Sequence, residues 1–273
     1  MALLPHPVDL TGRLARGWLF LWRSPGEAVR PLVPPGLELV THRGFAFWNV
    51  VACKVEGLRP AAWPEGVPGW DFWQIGYRLM VRHRGRDGQV TEGLYFVRSE
   101  CGDPLVLAGG NLTTDFHFHP ARIVCQHEDR WAYLRVDAGE DWSEAVVDAA
   151  LPPRLAAGSP FARLEEAAQF LRYRPVALHP LPGGAARAVR VRRDARAWTP
   201  RLRQPVDQRW PWLAPYQAEP ELCFELPRIP YTWQRQEFLP GPAQATATPR
   251  ARPRQVVAVR SIPVLGAFAA PAT

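Results

Sequence analysis

The alternation of apolar and polar positions predicts a chain built mostly of β-strands. Residues 93–100 alternate between two faces, with Leu94, Phe96 and Arg98 together on one of them, which is the two-residue period of a strand. Short turn-forming stretches separate such segments, as in an antiparallel meander. The strands predicted in this way cover residues 72–83, 93–100, 112–118, 122–127, 131–137, 186–191 and 221–226.

Residues 44–56 differ from these strands because both of their alternating faces are apolar. The segment reads GFAFWNVVACKVE. A strand that is apolar on both faces is typical of the centre of a sheet that is covered on both sides. We therefore expect this segment to be a buried central strand.

Two helices are predicted from their N-terminal signals. Ser24 and Glu27 have the form of a capping box, and a short helix should run from there to about Leu32. The second helix is expected over residues 160–172, with Ser159 as its N-cap and an apolar stripe along one side.

Length and composition are those of one globular domain. The chain has 273 residues, of which 47% are hydrophobic and 22% charged, so it is not disordered throughout. Residues 1–240 are expected to form this domain, and residues 241–273, rich in Pro, Ala, Thr and Arg, a poorly tied tail. The cysteines have no CxxC spacing, and the N-terminus lacks an export signal and a membrane span, so we expect a cytoplasmic protein without a membrane partner.

The net charge of +7 does not by itself indicate a nucleic-acid partner. All basic residues except Lys54 are arginine, and they are scattered along the chain, with one dense cluster over residues 187–196. Binding of nucleic acid requires a continuous basic face. We therefore do not expect a nucleic-acid partner, and association through the cluster over residues 187–196 is kept only as a third, weaker alternative.

Three segments together resemble a known family. They are LWRSPGEAVRPLVPPGLEL at residues 21–39, FWQIGYRLMV at residues 72–81 and TEGLYFVRSECGDPLVLAGGNLTTDFHFHP at residues 91–120. Their order and spacing resemble the uncharacterised YqjF-like family (domain of unknown function 2071) of the acetoacetate decarboxylase-like superfamily. The resemblance implies a β-rich α+β fold, in which a curved antiparallel sheet or partly closed barrel surrounds an internal pocket and carries two or three short helices.

The same resemblance implies a chemistry from which this chain departs. Enzymes of the acetoacetate decarboxylase type use a lysine as a Schiff-base nucleophile, shortly after the strand that resembles residues 93–100. This chain reads CGDPLVLAGG there and has no lysine. Gln74 and Gly76 also stand where a Glu and an Asn are usual, whereas Arg78 keeps its place. We expect the family mechanism to be absent, because arginine stays protonated and cannot replace a nucleophilic lysine.

Lys54, the only lysine of the chain, has two interpretations. It lies near the end of the central strand, on the same face as Trp48 and Val50. If this face lines the pocket, a desolvated Lys54 would be able to form an imine with an oxo acid. Alternatively, its side chain extends past the end of the strand and pairs with Glu56 or with solvent.

A second candidate cluster lies on the strand expected within residues 111–120. Asp115, His117 and His119 would share one face of that strand. The spacing suits an acid/base pair or two ligands of a metal. Since no third ligand is evident, we expect no metal and no cofactor. The alternative is a structural role, with these side chains hydrogen-bonded on a half-exposed face.

Three arginines, Arg23, Arg78 and Arg98, lie in apolar, strand-like segments. Inside a cavity each would offer a bidentate clamp for the carboxylate of a ligand. The alternative is an ion pair with a carboxylate of the chain itself, such as Glu100, that only organises the sheet.

Two functions remain open from these candidates. The first is an atypical lyase or hydrolase acting on an organic acid, with arginines holding the carboxylate and Asp115, His117, His119 or Lys54 in catalysis. The second is a non-catalytic pocket for a small hydrophobic or aromatic ligand, with tryptophans as its walls. In both, the expected partner is a small molecule, and the resemblance leaves assembly into a homo-oligomer open.

Overall fold

The computed structural model describes residues 8–64 and 66–241, which form a β-rich fold with few and short helices. The strands are β1 (Leu10–Pro25), β2 (Glu38–Leu39), β3 (Thr41–His42), β4 (Phe45–Pro60), β5 (Trp70–Arg84), β6 (Val90–Cys101), β7 (Phe118–Pro120), β8 (Arg122–His127), β9 (Trp131–Ala138), β10 (Asp141–Asp148), β11 (Val176–Pro180), β12 (Ala186–Arg193), β13 (Arg201–Arg209), β14 (Glu219–Glu225), β15 (Ile229–Trp233) and β16 (Glu237–Leu239). The α-helices are α1 (Gly26–Val29), α2 (Pro104–Thr113) and α3 (Leu164–Phe170), and 3-10 turns cover Arg30–Leu32, Pro182–Gly184 and Pro211–Tyr216. The β-rich α+β class expected from the sequence is confirmed. Apart from Gly241, the tail expected at residues 241–273 lies outside the described residues.

Seven of the described strands close into a barrel. Around the barrel the order is β1, β4, β5, β6, β11, β12 and β15, and β15 pairs back onto β1. Neighbours are antiparallel except β6 and β11, which are parallel. Closure gives each of these strands a hydrogen-bonded neighbour on both sides and encloses an interior.

Strand β1 joins the barrel to a second layer because it is paired along both edges. One edge pairs with β4 from Leu10 to Pro25, and the other pairs first with β15 and then with β14. Beyond β14 the sheet continues through β13, β10, β9 and β8. This layer covers the outside of the barrel, where Leu134 and Val136 of β9 share a core cluster with Trp18 of β1. The sequence analysis assigned neither β1 nor β10.

Strand β4 has a hydrophobic core on each side. Trp48 and Val50 point outward into the cluster shared with the second layer, whereas Phe47 and Val51 point into the barrel. All four side chains are buried. The central strand predicted over residues 44–56 is therefore confirmed, and its alternation decides which side chains reach the interior.

The strand predicted over residues 112–118 is wrong. Helix α2 covers Pro104–Thr113, and its N-cap Asp103 accepts hydrogen bonds from the backbone N–H groups of Leu105 and Val106, both at 2.9 Å. Asp103 and Pro104 are thus an N-cap and first-turn proline, rather than only a turn. Beyond the helix, His117 has a φ of 53°, which interrupts extended structure before β7.

The two predicted helices exist but their predicted caps are wrong. Ser24 belongs to β1, where its hydroxyl accepts a hydrogen bond from Trp48 Nε1 at 3.1 Å. Ser159 precedes α3 by several residues, and its hydroxyl contacts the carboxylate of Glu221 instead. Ser24 thus uses its hydroxyl in a tertiary contact, whereas the Ser159 hydroxyl also accepts a hydrogen bond from the backbone N–H of Phe161 at 3.2 Å, ahead of α3. Among the described residues, no helix has the length and apolar character to cross a membrane.

Candidate functional site

The barrel encloses a cavity of about 80 Å³, to which all seven barrel strands and the segment after α3 contribute side chains. A single water molecule needs roughly 10–15 Å³ of such space, so the cavity has room for several waters or a small organic molecule. Most of its wall is apolar. Aliphatic and aromatic side chains that line it include Val51, Leu94, Val189, Phe96, Phe116 and Trp233.

Arg78 of β5 is the most deeply buried charged group of the cavity wall, with 4% of its surface exposed. Its guanidinium donates hydrogen bonds to the backbone oxygen of Asn49, at 3.2 Å, and to the Asn49 side-chain oxygen. It also lies 5.4 Å from the ring centre of Phe96 and 5.6 Å from that of Tyr173. Burial lowers the pKa of Arg78, because desolvation disfavours the charged form.

A second guanidinium of the cavity lining belongs to Arg193, the last residue of β12. It stacks 3.9 Å from the ring centre of Trp198 and 4.8 Å from that of Tyr173. Burial lowers the pKa of Arg193 as well. Within the described part of the chain, the cavity lining contains no Asp or Glu, and neither Arg78 nor Arg193 is ion-paired with a carboxylate.

Three buried polar atoms of the lining have no hydrogen-bond partner among the described residues. They are the hydroxyl oxygens of Ser99 and Tyr231 and the Nε of Arg193. Burial raises the pKa of Tyr231 well above its ordinary value, so its hydroxyl stays protonated and able to donate. Buried polar atoms without partners are costly, and a bound molecule in the cavity would be able to satisfy them.

Arg174, Cys53 and Gln74 complete the polar part of the lining, and Arg174 is ion-paired with Glu92 at 3.1 Å. The Gln74 amide nitrogen donates to the sulfur of Cys53 at 3.4 Å. Burial raises the pKa of the Cys53 thiol, so this cysteine is not a reactive thiolate near neutral pH. The described cysteines are free.

Of the seven candidate site residues from the sequence, Arg78 is the one that lines the barrel cavity. Lys54 lies on β4 between Cys53 and Val55, which both face the cavity, so its own side chain points to the opposite face. Its side chain is 38% exposed, and its ammonium lies 3.4 Å from a carboxylate oxygen of Glu56. This is the arrangement of the alternative interpretation, in which Lys54 pairs with Glu56.

A β-bulge carries Arg98 out of the cavity. On β6 the residues opposite Tyr77 and Arg78 are Arg98 and Phe96, so Val97 is the extra residue. Beyond this bulge the faces are exchanged, and Ser99 rather than Arg98 points inward. The prediction that Arg98 shares a face with Phe96 is therefore wrong. Arg98 donates to a carboxylate oxygen of Glu100 at 2.9 Å.

Arg23 is buried at one end of the barrel and is neutralised by carboxylates of the chain. It forms ion pairs with Glu219 and Glu221, the latter at 2.7 Å, and donates to the Ala157 carbonyl oxygen at 2.7 Å. The Glu221 side chain has no exposed surface. Arg23 thus organises the junction of β1 with β14.

Asp115, His117 and His119 do not share one face of a strand. Asp115 and His117 lie between α2 and β7, and His119 is the middle residue of β7. Asp115 is buried, with its two carboxylate oxygens 3.6 Å from His179 Nε2 and 3.5 Å from Arg187 Nη1. His117 Nδ1 lies 3.0 Å from the carbonyl oxygen of Phe96, and His119 is exposed. No group of three or more His, Cys, Asp or Glu able to hold a metal occurs in the described ranges.

Several cavity residues were missed by the sequence analysis. Tyr173, Arg193 and Tyr231 come from segments 80 or more positions after Arg78 in the chain. One signal was present, since Val189 and Val191 share a face of the predicted strand over residues 186–191 and Arg193 continues the same alternation two positions further. The sequence analysis considered Arg193 only as part of the basic cluster over residues 187–196.

Comparison with solved structures shows several proteins of the same fold. An acetoacetate decarboxylase from Legionella pneumophila superposes with a TM-score of 0.58 at 12% identity, covering 88% of this chain and 90% of that chain. An acetoacetate decarboxylase-like enzyme from Sphingomonas wittichii RW1 gives 0.54 at 14% identity, covering 88% and 95%. The enduracididine biosynthesis enzyme MppR complexed with pyruvate gives 0.55 at 13% identity, covering 88% and 92%.

Sequence comparison places the chain in a family. No curated protein sequence matches it significantly. The model of the family DUF2071, described as an uncharacterized conserved protein, matches residues 13–197. This range includes the three segments whose order resembled that family, and it covers more than half of the chain. The protein is therefore a member of the DUF2071 family, and its fold is that of the acetoacetate decarboxylase-like proteins.

Proposed function

We propose that this protein binds a small organic carboxylate inside the barrel, with Arg78 as the anchor. The observation that carries the proposal is the charge of the cavity. Arg78 is buried in a lining that is otherwise apolar, neutral or basic, and no described residue of this lining supplies a negative charge.

A buried guanidinium without an anion is unfavourable. Its desolvation costs several kcal/mol, which hydrogen bonds to the neutral Asn49 offset only in part. A carboxylate placed against Arg78 would accept two parallel charge-assisted hydrogen bonds in a dry environment, where such bonds are strong. These hydrogen bonds would offset the desolvation free energy of the Arg78 guanidinium and so favour binding of the carboxylate.

The rest of the cavity selects for a small and largely apolar body. Phe96 and Phe116 stack with their ring centres 4.1 Å apart and form one wall, and Trp233 contacts Phe116 edge-on at 5.4 Å. A cavity of about 80 Å³ suits an acid of a few carbon atoms rather than a large metabolite. The fold neighbour described as complexed with pyruvate supports a ligand of this kind.

Binding, rather than Schiff-base chemistry, is the function that these groups support. Lys54 is the only lysine of the chain and faces away from the cavity. The histidines and Asp115 considered for proton transfer do not line it. Its ionisable lining groups are arginines, tyrosines and Cys53, none of which is a general base near neutral pH.

The test is calorimetric titration with matched acids and amides at constant ionic strength. Propionate, butyrate and benzoate should bind, whereas propionamide, butyramide and benzamide should not. Arg78→Gln should abolish carboxylate binding. The control is Arg84→Gln on the same strand, because Arg84 is half exposed, pairs with Glu38 at 2.7 Å and lies outside the cavity.

Three results would reject the proposal: no binding of any of the acids, equal binding of acids and amides, or full binding by a folded Arg78→Gln variant. The same samples, followed by proton NMR over hours, separate a binding protein from an atypical lyase or hydrolase. We expect the signals of the acid to persist over these hours, with no new signals from a product.

A further inference from the structure

The cavity wall contains a second group of polar donors besides Arg78. Arg193 and Tyr231 are direct partners in the β12–β15 pairing, and both line the cavity. Side chains of directly opposite residues lie on the same face of a sheet with their Cβ atoms about 4.5–5.5 Å apart. The two side chains are therefore held side by side on rigid strands.

Each member of this pair has a hydrogen-bond donor for which the described residues offer no acceptor. The Nε of Arg193 and the hydroxyl of Tyr231 are buried and without a partner. Tyr231 as a whole has 8% of its surface exposed. Two such donors on adjacent strands define a place where a ligand oxygen would be bound.

Both guanidiniums also lie beside one aromatic ring. Their carbons are 5.6 Å and 4.8 Å from the centre of the same Tyr173 ring. Two like charges near one ring, in a wall without carboxylates, repel each other at low dielectric. One bound negative charge would neutralise only one of them.

We infer that the ligand is a dianion, a short dicarboxylate whose first carboxylate binds Arg78 and whose second binds Arg193 and Tyr231. This inference rests on the proposed function and adds the substrate class. The apolar side chains of the lining would accommodate the carbon chain, and Tyr173 lies beside both guanidiniums. Arg193 and Tyr231 would then be specificity-determining residues.

The experiment compares acids of equal length with one or two carboxylates. Titrations use butyrate against succinate and pentanoate against glutarate, at fixed pH and ionic strength. The wild-type protein should bind at least one dicarboxylate roughly tenfold or more tightly than its matched monocarboxylate, since a second charge-assisted contact is worth more than 1 kcal/mol.

Variants identify the subsite that provides this difference. Arg193→Gln should remove the preference for the dicarboxylate and leave monocarboxylate binding within about twofold, and Tyr231→Phe should reduce the preference without a change of charge. Arg192→Gln is the control, because Arg192 is the exposed neighbour on the same strand and does not line the cavity. Circular dichroism confirms that each variant is folded.

The outcomes distinguish the two proposals. Equal affinities for both members of each pair, with binding still lost in Arg78→Gln, would overturn the dianion and leave the carboxylate site. A dicarboxylate preference that persists in folded Arg193→Gln would also overturn it. If no acid binds at all, both proposals fail together.

Discussion

Arg78 and Asn49 are direct partners across β4 and β5, and the Arg78 guanidinium donates hydrogen bonds to the backbone and side-chain oxygens of Asn49. A neutral amide orients the guanidinium but leaves its charge without compensation. Asn49 is itself buried, with 1% of its surface exposed. The pair therefore holds a positive charge in position and keeps it available for a ligand.

Replacing this amide by a carboxylate should raise the stability of the fold and weaken ligand binding. Asn49→Asp would place an anion against Arg78, so the free energy of unfolding should rise by about 1–3 kcal/mol, as for a hydrogen bond with charged partners. Carboxylate ligands should bind at least tenfold more weakly, because the site is already neutralised. Urea unfolding and calorimetric titration measure the two effects.

A double-mutant cycle provides the control for this prediction. In the Arg78→Gln background the added stability of Asn49→Asp should vanish, since no cation remains for the new carboxylate. An equal gain in both backgrounds would mean that the stabilisation has another origin.

Removing Arg23 should destabilise the fold without involving the cavity. Arg23→Met would leave the fully buried carboxylate of Glu221 without its cation, which typically costs about 3–5 kcal/mol. Arg130→Met is the comparison, because Arg130 and Asp148 form an exposed pair and its loss should change stability little. Similar urea midpoints for the two variants would contradict this account of Arg23.

Glu100 should make stability depend on pH in a defined direction. Burial raises the pKa of Glu100 above 4.5, although the hydrogen bond from Arg98 opposes the shift. The native state then holds its proton more tightly than the unfolded state, so this group's contribution is complete below the unfolded pKa and is lost as the pH rises through the folded pKa.

The variant Glu100→Gln isolates this contribution, because every other titrating group is shared with the wild type. Measured by urea unfolding from pH 4 upward, the variant should become progressively more stable relative to the wild type until the folded pKa is passed. A difference that does not change with pH would show that Glu100 has an unshifted pKa.

Lys54 should not form an imine with an oxo acid. Its ammonium pairs with Glu56 on the outer face of β4, away from the cavity in which an acid would be bound. Treatment with pyruvate or acetoacetate and borohydride, read by intact mass, should leave the protein unmodified. A stable adduct that maps to Lys54, and is absent from Lys54→Met, would revive Schiff-base chemistry in this chain.

Strand positions with strong alternation were predictable, and those that depend on tertiary contacts were not. The bounds of β8 agree with the predicted residues 122–127, and those of β9 extend the predicted 131–137 by one position. By contrast, α2 was read as a turn and a strand, because Asp103 and Pro104 are compatible with either a turn or a helix start. The competing signals are local, and packing of α2 against β7 decides between them.

The residues of the candidate site show the same difference between what local sequence predicts and what tertiary contacts decide. Arg78 was predicted because it keeps its place in a segment that resembles the family. Arg98 was misplaced by one extra residue, Val97, since a bulge exchanges the two faces of a strand and leaves no clear mark in the sequence. Arg193 and Tyr231 could not be connected with Arg78, because pairing between distant strands brings them together.

The sequence by itself determined the class of this protein: a β-rich domain of the DUF2071 family with a single lysine, Lys54. Alternation and composition suffice for that, because they report local conformation and burial. Only the tertiary structure decided which face of each strand turns inward. Barrel closure through β1 and the bulge at Val97 decide this, and they place three arginines and no described carboxylate around one cavity.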